Sequence, residues 1–140
     1  MAAPYEQRLR EAFATVQRLL GTQFDFDFAP DNENRPKDDT TILTLARSAR
    51  GREDPMCFLV YYSARAGELG DPLTDALHEV IHCATHDLYD DGARRLRAAE
   101  IVALLKTWER TCYNLERAIH PLVEYWTFPW YARILRRRPR

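Results

Sequence analysis

The sequence predicts a single α+β domain, in which an N-terminal helix and a small antiparallel sheet precede a pair of longer helices. Three observations lead to this fold class. Apolar residues recur at helical spacing in both outer thirds of the chain, strand-like runs fill residues 23–62, and a His-Glu-x-x-His motif lies within the helical second half. A length of 140 residues with an apolar fraction of 46% suits one globular domain.

The first helix is predicted to run from near Pro4 to Gly21. A proline is favoured in the first turn of a helix, and a glycine is favoured just after its last turn. The apolar residues between them follow helical spacing: Leu9, Phe13, Val16, Leu19 and Leu20.

Three strands are predicted to follow: Gln23–Phe28, Thr40–Leu45 and Cys57–Tyr62. The first alternates phenylalanine with aspartate, which is typical of a strand with one wet face, and the other two are rich in aliphatic, aromatic and β-branched residues. Asp31–Asp39 is polar and is predicted to be a loop, and Ser48–Pro55 resembles a solvated hairpin loop. The sheet is therefore predicted to be antiparallel.

The second half of the chain is predicted to form two helices. The first begins at Pro72 and ends near Gly92, a residue that favours a helix C-terminus. The second runs from about Ala93 to about His120, with apolar residues at helical spacing throughout. Pro121 is expected to interrupt it, because proline cannot donate a helical hydrogen bond.

The first of these helices carries the motif His78-Glu79-Val80-Ile81-His82. Histidines at positions i and i+4 share one helix face, so both imidazoles can reach one Zn²⁺, and Glu79 can accept a proton from the water that zinc activates. The apolar residues of this helix form a stripe opposite the histidines: Leu73, Leu77, Val80, Ile81, Ala84 and Leu88. We therefore expect one face to pack on the core and the histidine face to line a cleft or meet solvent.

A zinc site of this kind needs a third protein ligand. The spacing after the turn favours Glu100 as this ligand. Glu109, two to three turns later, is the alternative, because both glutamates flank the apolar face of the helix and periodicity does not choose between them. His86 continues the histidine stripe, but it lies about 12 Å from His78 along a straight helix. We expect His86 to be near the site or exposed, and not to bind the ion.

The order of these elements resembles the gluzincin arrangement of the zincin-like metallopeptidases, especially the small single-domain versions in phages and prophages. Only the five-residue motif is specific, whereas the rest of residues 5–120 shares the order of elements. The resemblance implies zinc held by His78, His82 and Glu100, with Glu79 as the general base of peptide hydrolysis. The alternative is a non-enzymatic phage or bacterial binding or assembly protein, in which the histidines are exposed or the metal is structural.

The cysteines and the N-terminus indicate the compartment. Cys57, Cys83 and Cys112 are odd in number, widely spaced and set among apolar residues, which predicts buried free thiols in a reducing environment. No apolar run has the length of a transmembrane helix, and the first residues lack the features of a secretory signal. We expect a cytoplasmic protein, or one that assembles into a virion.

Residues 1–122 are expected to form the domain and residues 123–140 an aromatic and basic C-terminal arm. Trp126, Trp130 and Tyr131, followed by Arg136–Arg138, are side chains of the types that anchor protein–protein interfaces. Two interpretations of the arm therefore stay open: its aromatic residues cap the hydrophobic core and the arginines form a solvated tail, or the arm docks on a protein partner. The net charge of -1 gives no reason to expect a nucleic acid partner.

Overall fold

A mixed three-stranded sheet and three helices make up the part of the chain that the computed structural model describes, which is residues 4–31, 43–47, 57–63, 68 and 70–127. In chain order the elements are α1 (Pro4–Leu20), β1 (Asp25–Pro30), β2 (Leu43–Arg47), β3 (Cys57–Tyr62), α2 (Pro72–Ala93) and α3 (Ala98–Thr127). The predicted α+β class is confirmed. The predicted hairpin loop at Ser48–Pro55 and the arm beyond residue 127 lie outside the described residues.

The strands lie in the order β1-β3-β2, so β3 is central. β2 pairs antiparallel with β3, with Leu45 opposite Val60, as the hairpin prediction requires. β1 pairs parallel with β3, with Phe26 opposite Phe58, so the prediction of a wholly antiparallel sheet is wrong. The reason is that alternation in a sequence shows which face a side chain occupies, but it does not show which neighbour a strand pairs with.

The core lies between one face of the sheet and the helices. Phe58, Val60 and Tyr62 alternate along β3 and are buried on this face. Phe13 of α1 packs edge-on against two rings of β1, at 4.6 Å from Phe26 and 5.2 Å from Phe28 between ring centroids. Edge-to-face contacts of this kind add to the stabilisation from apolar burial, and they hold α1 on the sheet.

One ionised group is buried within this core. Glu6 of α1 accepts a hydrogen bond of 2.6 Å from the Tyr62 hydroxyl and bonds of 2.8 and 2.9 Å from the Arg10 guanidinium. These hydrogen bonds, from Tyr62 first and then Arg10, lower the pKa of Glu6. Burial and the Glu6 carboxylate raise the pKa of Tyr62 to about 12, so the phenol stays a donor.

α2 begins where the sequence predicts. Asp71 is its N-cap, because its carboxylate accepts hydrogen bonds from the backbone N–H and the hydroxyl of Thr74, and Pro72 occupies the first turn. The helix includes Gly92, where a Cβ atom would lie 3.1 Å from Cδ2 of Leu104. The absence of a side chain at Gly92 therefore lets α3 approach the end of α2 closely.

α3 begins later and ends later than predicted. A turn at residues 94–97 separates it from α2, so the helix starts at Ala98 and not at Ala93. Pro121 lies inside the helix and does not interrupt it, because burial of Val123 in the core favours one more helical turn beyond the proline. The expected boundary between domain and arm at residue 123 therefore falls within α3. None of the described helices is long and apolar enough to cross a membrane.

Candidate metal centre

His78 and His82 project from α2 toward α3, where they meet the carboxylate of Glu109. The Nε2 atoms of the two histidines lie 3.0 Å apart. The Glu109 oxygens lie 3.4 Å from Nε2 of His82 and 3.7 Å from Nε2 of His78. These three residues form a group whose ligand atoms are close enough together to hold one metal ion.

The spacing of these donors can be compared with a tetrahedral zinc site. Bonds of about 2.1 Å at a tetrahedral angle place neighbouring ligand atoms roughly 3.4 Å apart. The separation of 3.0 Å between the two Nε2 atoms, and those of 3.4 and 3.7 Å from them to Oε1 and Oε2 of Glu109, lie near that value. Two imidazoles and one carboxylate also form a donor set that zinc accepts, and they leave a fourth position for a water or substrate atom. The residues therefore fit a zinc ion.

The other ring nitrogens are held by different partners. Nδ1 of His78 lies 2.9 Å from a carboxylate oxygen of Glu116, and Nδ1 of His82 lies 3.4 Å from Sγ of Cys112. A carboxylate beside the far nitrogen of a histidine orients the ring and makes its free nitrogen a better ligand. Both imidazoles are thus turned so that Nε2 faces the common point.

The centre is buried on the α2 side and open at Glu109. The side-chain exposure is 8% for His82 and 13% for His78, but 46% for Glu109. Burial lowers the pKa of His82, against the opposing effect of Glu109, so the ring is neutral at pH 7. A neutral imidazole is the form that binds a metal.

Glu79 lies beside this group with no hydrogen-bond partner among the described residues. Burial raises the pKa of Glu79 to about 8, and the charge of Glu109 adds to the rise. A buried carboxyl group that lacks hydrogen bonds is costly unless a positive charge or a reacting group lies near it.

The third member of the donor group, after the two histidines, is Glu109 and not Glu100. The Glu100 carboxylate accepts a hydrogen bond of 2.8 Å from the backbone N–H of Arg97, so it caps the exposed start of α3. Nine residues separate the two glutamates, which is roughly 13.5 Å along a helix. The structure therefore does not bring Glu100 to the histidines, and the alternative raised from the sequence, Glu109, is the acid that faces them.

His86 is also outside the group. Its ring centroid lies 5.8 Å from that of Phe58 and 6.2 Å from that of Trp108, and its Nδ1 lies 3.8 Å from an Asp87 oxygen. One further helical turn from His82 therefore carries it away from the donor group, as the rise of a helix requires. The expectation that His86 does not bind the ion agrees with this position.

The histidine face is mostly covered and does not meet solvent as a whole, since the side chains of His78 and His82 are 13% and 8% exposed. It packs against α3, whose position the periodicity of α2 does not reveal. The opposite, apolar stripe is shorter than expected, because Ala84 is exposed and Leu88 is 78% exposed. Leu77, Val80 and Ile81 are buried as predicted.

The sequence alone does not indicate that Glu116, Cys112 and Trp108 of α3 lie around the centre. Besides Glu116 and Cys112, Trp108 stacks edge-on against His82 with ring centroids 4.6 Å apart, and Tyr113 lies 4.4 Å from the His78 ring. All face α2 from one side of α3. The sequence could have indicated these residues through the helical hairpin, because residues at equal distances from the turn between two antiparallel helices face each other.

All three cysteines are free and buried, as predicted. Burial raises the pKa of the Cys112 thiol to about 11, so it is protonated at neutral pH. Comparisons of the chain with protein-family models, with curated proteins and with solved structures found no match.

Proposed function

We propose that this protein binds one Zn²⁺ through His78, His82 and Glu109. The observation that carries the proposal is the convergence of two Nε2 atoms and one carboxylate at separations of 3.0 to 3.7 Å, with each Nδ1 atom held by another group. Two bare lone pairs 3.0 Å apart repel each other, so either a proton or a cation has to lie between them. A zinc ion satisfies all three donors at once.

We further propose that the centre hydrolyses a peptide bond. Three protein ligands with one open position are typical of catalytic zinc, and the exposed side of Glu109 leaves an approach for a substrate. A zinc ion at such a centre supplies Lewis-acid activation of water and of a carbonyl oxygen. The positive charge of a bound ion would lower the pKa of Glu79, which adjoins His78 in the sequence, and the ionised carboxylate would then accept the proton of the attacking water.

Zinc binding is tested by competition with a chromophoric chelator, using protein first stripped of metal. We expect one zinc ion per chain. Glu109→Gln should weaken zinc binding by at least about 100-fold, since it removes an anionic ligand. Glu100→Gln is the matched control on the same helix, and it should bind zinc as the unmodified protein does.

Two results would contradict the metal site. One is an absence of zinc binding by the stripped protein, together with a melting temperature that zinc does not change. The other is a loss of binding in Glu100→Gln while Glu109→Gln binds normally. A bound ion should raise the free energy of unfolding by about 2.7 kcal/mol at a zinc concentration 100 times the Kd.

Hydrolysis is tested separately, with zinc-loaded protein and a mixture of unstructured peptides analysed by mass spectrometry. Glu79→Gln should retain zinc but lose peptide hydrolysis by about 100-fold or more, because a positioned general base contributes a factor of this size. Asp91→Asn, a change on an exposed part of α2, is the control. Equal cleavage by Glu79→Gln and by the unmodified protein would remove the peptidase assignment and leave the metal site.

A second candidate function is supported by the position of the donors. All three lie in the interface between α2 and α3, so a metal ion there would also fix one helix to the other. In that case zinc is structural, and the protein engages a partner, with Trp126, Trp130, Tyr131 and Arg136–Arg138 as the docking residues. Zinc binding without hydrolysis, together with partner binding that chelation abolishes, would favour this function.

A further inference from the structure

The hydrogen-bond partners of the two histidines determine where their protons lie in the metal-free protein. Nδ1 of His78 faces the Glu116 carboxylate at 2.9 Å, and a carboxylate only accepts, so this nitrogen carries a proton. A neutral imidazole with its proton on Nδ1 has a lone pair on Nε2. Nε2 of His78 lies 3.0 Å from Nε2 of His82, which therefore has to be the donor of that pair.

The same reasoning fixes the proton on the next ring. His82 is neutral, so a proton on its Nε2 leaves a lone pair on its Nδ1. That nitrogen lies 3.4 Å from the Cys112 sulfur, whose thiol is protonated and can donate. The four groups form a chain in which every donor has an acceptor: Cys112 to His82, His82 to His78, and His78 to Glu116.

This arrangement is incompatible with metal binding as it stands. A zinc ion held by both Nε2 atoms needs both lone pairs, so His82 has to carry its proton on Nδ1 instead. The Nδ1–H group would then point at the Cys112 sulfur, which must change from donor to acceptor. No proton is gained or lost by the ring, since it exchanges one N–H position for the other.

A second partner makes the reversal feasible at Cys112. The hydroxyl of Thr85 lies 3.9 Å from the Cys112 sulfur, and either atom can be the donor of that contact. Thr85 already donates to the backbone carbonyl of Ile81 at 2.8 Å and accepts from the Trp108 indole N–H at 2.7 Å. A second lone pair on the hydroxyl oxygen of Thr85 remains, and it can accept a hydrogen bond from the Cys112 thiol when His82 becomes the donor to the sulfur.

We propose that Cys112 is a positioning residue that selects the tautomer of His82, and that the Cys112–His82 hydrogen bond reverses when the centre takes up zinc. The inference rests on the metal site proposed above, but not on peptide hydrolysis. It makes the buried thiol part of the metal centre even though its sulfur lies at the nitrogen that does not bind the ion.

Nitrogen-15 NMR of histidine-labelled protein tests the reversal directly, because protonated and unprotonated ring nitrogens have well-separated resonances. Spectra are recorded with metal-stripped and zinc-loaded full-length protein. The signals of His86 and His120 are identified by their loss in His86→Gln and His120→Gln. We expect His82 to be protonated on Nε2 without metal and on Nδ1 with zinc.

Variants at position 112 test whether the thiol causes the selection. Cys112→Ala removes both donor and acceptor and should weaken zinc binding by about 10- to 100-fold, the range for groups that orient a ligand. Cys112→Ser keeps a group that can donate and accept, and it should restore binding to within a few-fold. Cys83→Ala, at a buried thiol with no hydrogen bond to a histidine among the described residues, controls for lost packing.

The outcomes separate this inference from the proposal it rests on. If zinc changes no histidine signal, the metal site itself fails. If zinc binds but His82 is already protonated on Nδ1 in the stripped protein, or carries protons on both nitrogens, the reversal is wrong while the metal site stands. Equal zinc affinities for Cys112→Ala and Cys83→Ala would likewise exclude a positioning role for the thiol.

Discussion

The two faces of α2 are built from opposite kinds of side chain. Toward α1 and the sheet it presents Leu77 and Val80, neither of which has any exposed surface. Toward α3 it presents a row of polar groups whose partners come one turn apart: Thr74 with His120, His78 with Glu116, and His82 with Cys112. One face belongs to the hydrophobic core. The other forms a hydrogen-bonded interface with α3, which we call the polar seam.

The difference separates the face of α2 that stabilises the fold from the face that carries the candidate metal site. Apolar burial is non-directional and contributes in proportion to area, so the core face holds the fold whatever the state of the site. A buried polar seam contributes little net stability, and it loses free energy whenever one member lacks a partner. The polar groups of α2 can therefore exchange hydrogen-bond partners without disturbing the apolar core on the opposite face.

The largest expected effect comes from the core face. Leu77→Ala should lower the free energy of unfolding by about 3 kcal/mol, since it removes a fully buried side chain and leaves a cavity. Leu88→Ala, on the same helix at a side chain that is 78% exposed, should change it by no more than about 0.5 kcal/mol. Urea unfolding measures both, and similar values would show that the core face is not packed as described.

The second-largest expected effect on the free energy of unfolding comes from Glu6, the ionised side chain buried in the core. Glu6→Gln should cost about 2 kcal/mol at pH 7, because hydrogen bonds from Tyr62 and Arg10 to a carboxylate are lost. The pKa of Glu6 is lower in the folded protein than in the unfolded chain, for which 4.5 is usual. Its contribution is therefore complete above that pH and disappears as the pH falls through the folded-state pKa.

The unfolding of Glu6→Gln and the unmodified protein should be compared between pH 3 and pH 7. The difference between them should shrink in acid. Glu11→Gln, at an exposed position on the same helix, is the matched control and should show little effect at any pH. A Glu6→Gln difference that stays constant with pH would exclude an ionised Glu6 in the core.

Much of the secondary structure could be predicted from the sequence, because local patterns determine it. The helix from Pro4 ends at Leu20 against a predicted Gly21, and the strand Cys57–Tyr62 has its predicted bounds. The parallel pairing of β1 could not be predicted in this way, since it depends on where the chain crosses the sheet. The continuation of α3 past Pro121 depends on the burial of Val123, which is a tertiary contact.

The candidate metal ligands also include a part that local sequence predicts and a part that depends on tertiary packing. His78 and His82 follow from a local spacing of four residues, whereas the acid depends on how α3 lies against α2. The observed pairs are symmetric about residue 97: His82 and Cys112 are each 15 residues from it, and His78 and Glu116 are each 19. Because the predicted second helix began at Ala93 and not at Ala98, the turn was misplaced and the acid could not be chosen.

A second carboxyl group, Asp75 of α2, which accepts a hydrogen bond from Tyr5 of α1, should respond to pH with the opposite sign. Burial raises the pKa of Asp75 to about 6, against a hydrogen bond of 3.3 Å from Tyr5. The folded protein therefore disfavours the ionised form, and the penalty grows as the pH rises from about 4 to about 6. Asp75→Asn should stabilise the metal-free protein by about 1 kcal/mol at pH 7.5, after allowance for solvent screening.

The stabilisation by Asp75→Asn should fall as the pH drops below about 6 and vanish at about pH 3, below the ordinary aspartate pKa of 3.8, where Asp75 is protonated in both folded and unfolded states. Thermal unfolding at the two pH values measures it. Asp91→Asn, at an exposed position on the same helix, is the control and should be neutral at both. A loss of stability in Asp75→Asn at pH 7.5 would mean that the ionised carboxylate stabilises the fold, contrary to the burial that raises its pKa.

The smallest expected effect concerns the acid that the spacing favoured as a ligand. Glu100 accepts a hydrogen bond from the backbone of Arg97 at the start of α3, so Glu100→Ala should cost about 0.5 kcal/mol through the lost cap. It should leave zinc affinity unchanged, because the donor group lies nine residues further along the helix. Glu109→Ala should show the reverse, with a large loss of zinc affinity and little change in the stability of the metal-free protein. A variant of Glu100 that changed zinc affinity and stability together would show that the start of α3 and the donor group are coupled, which the separation of the two along the helix argues against.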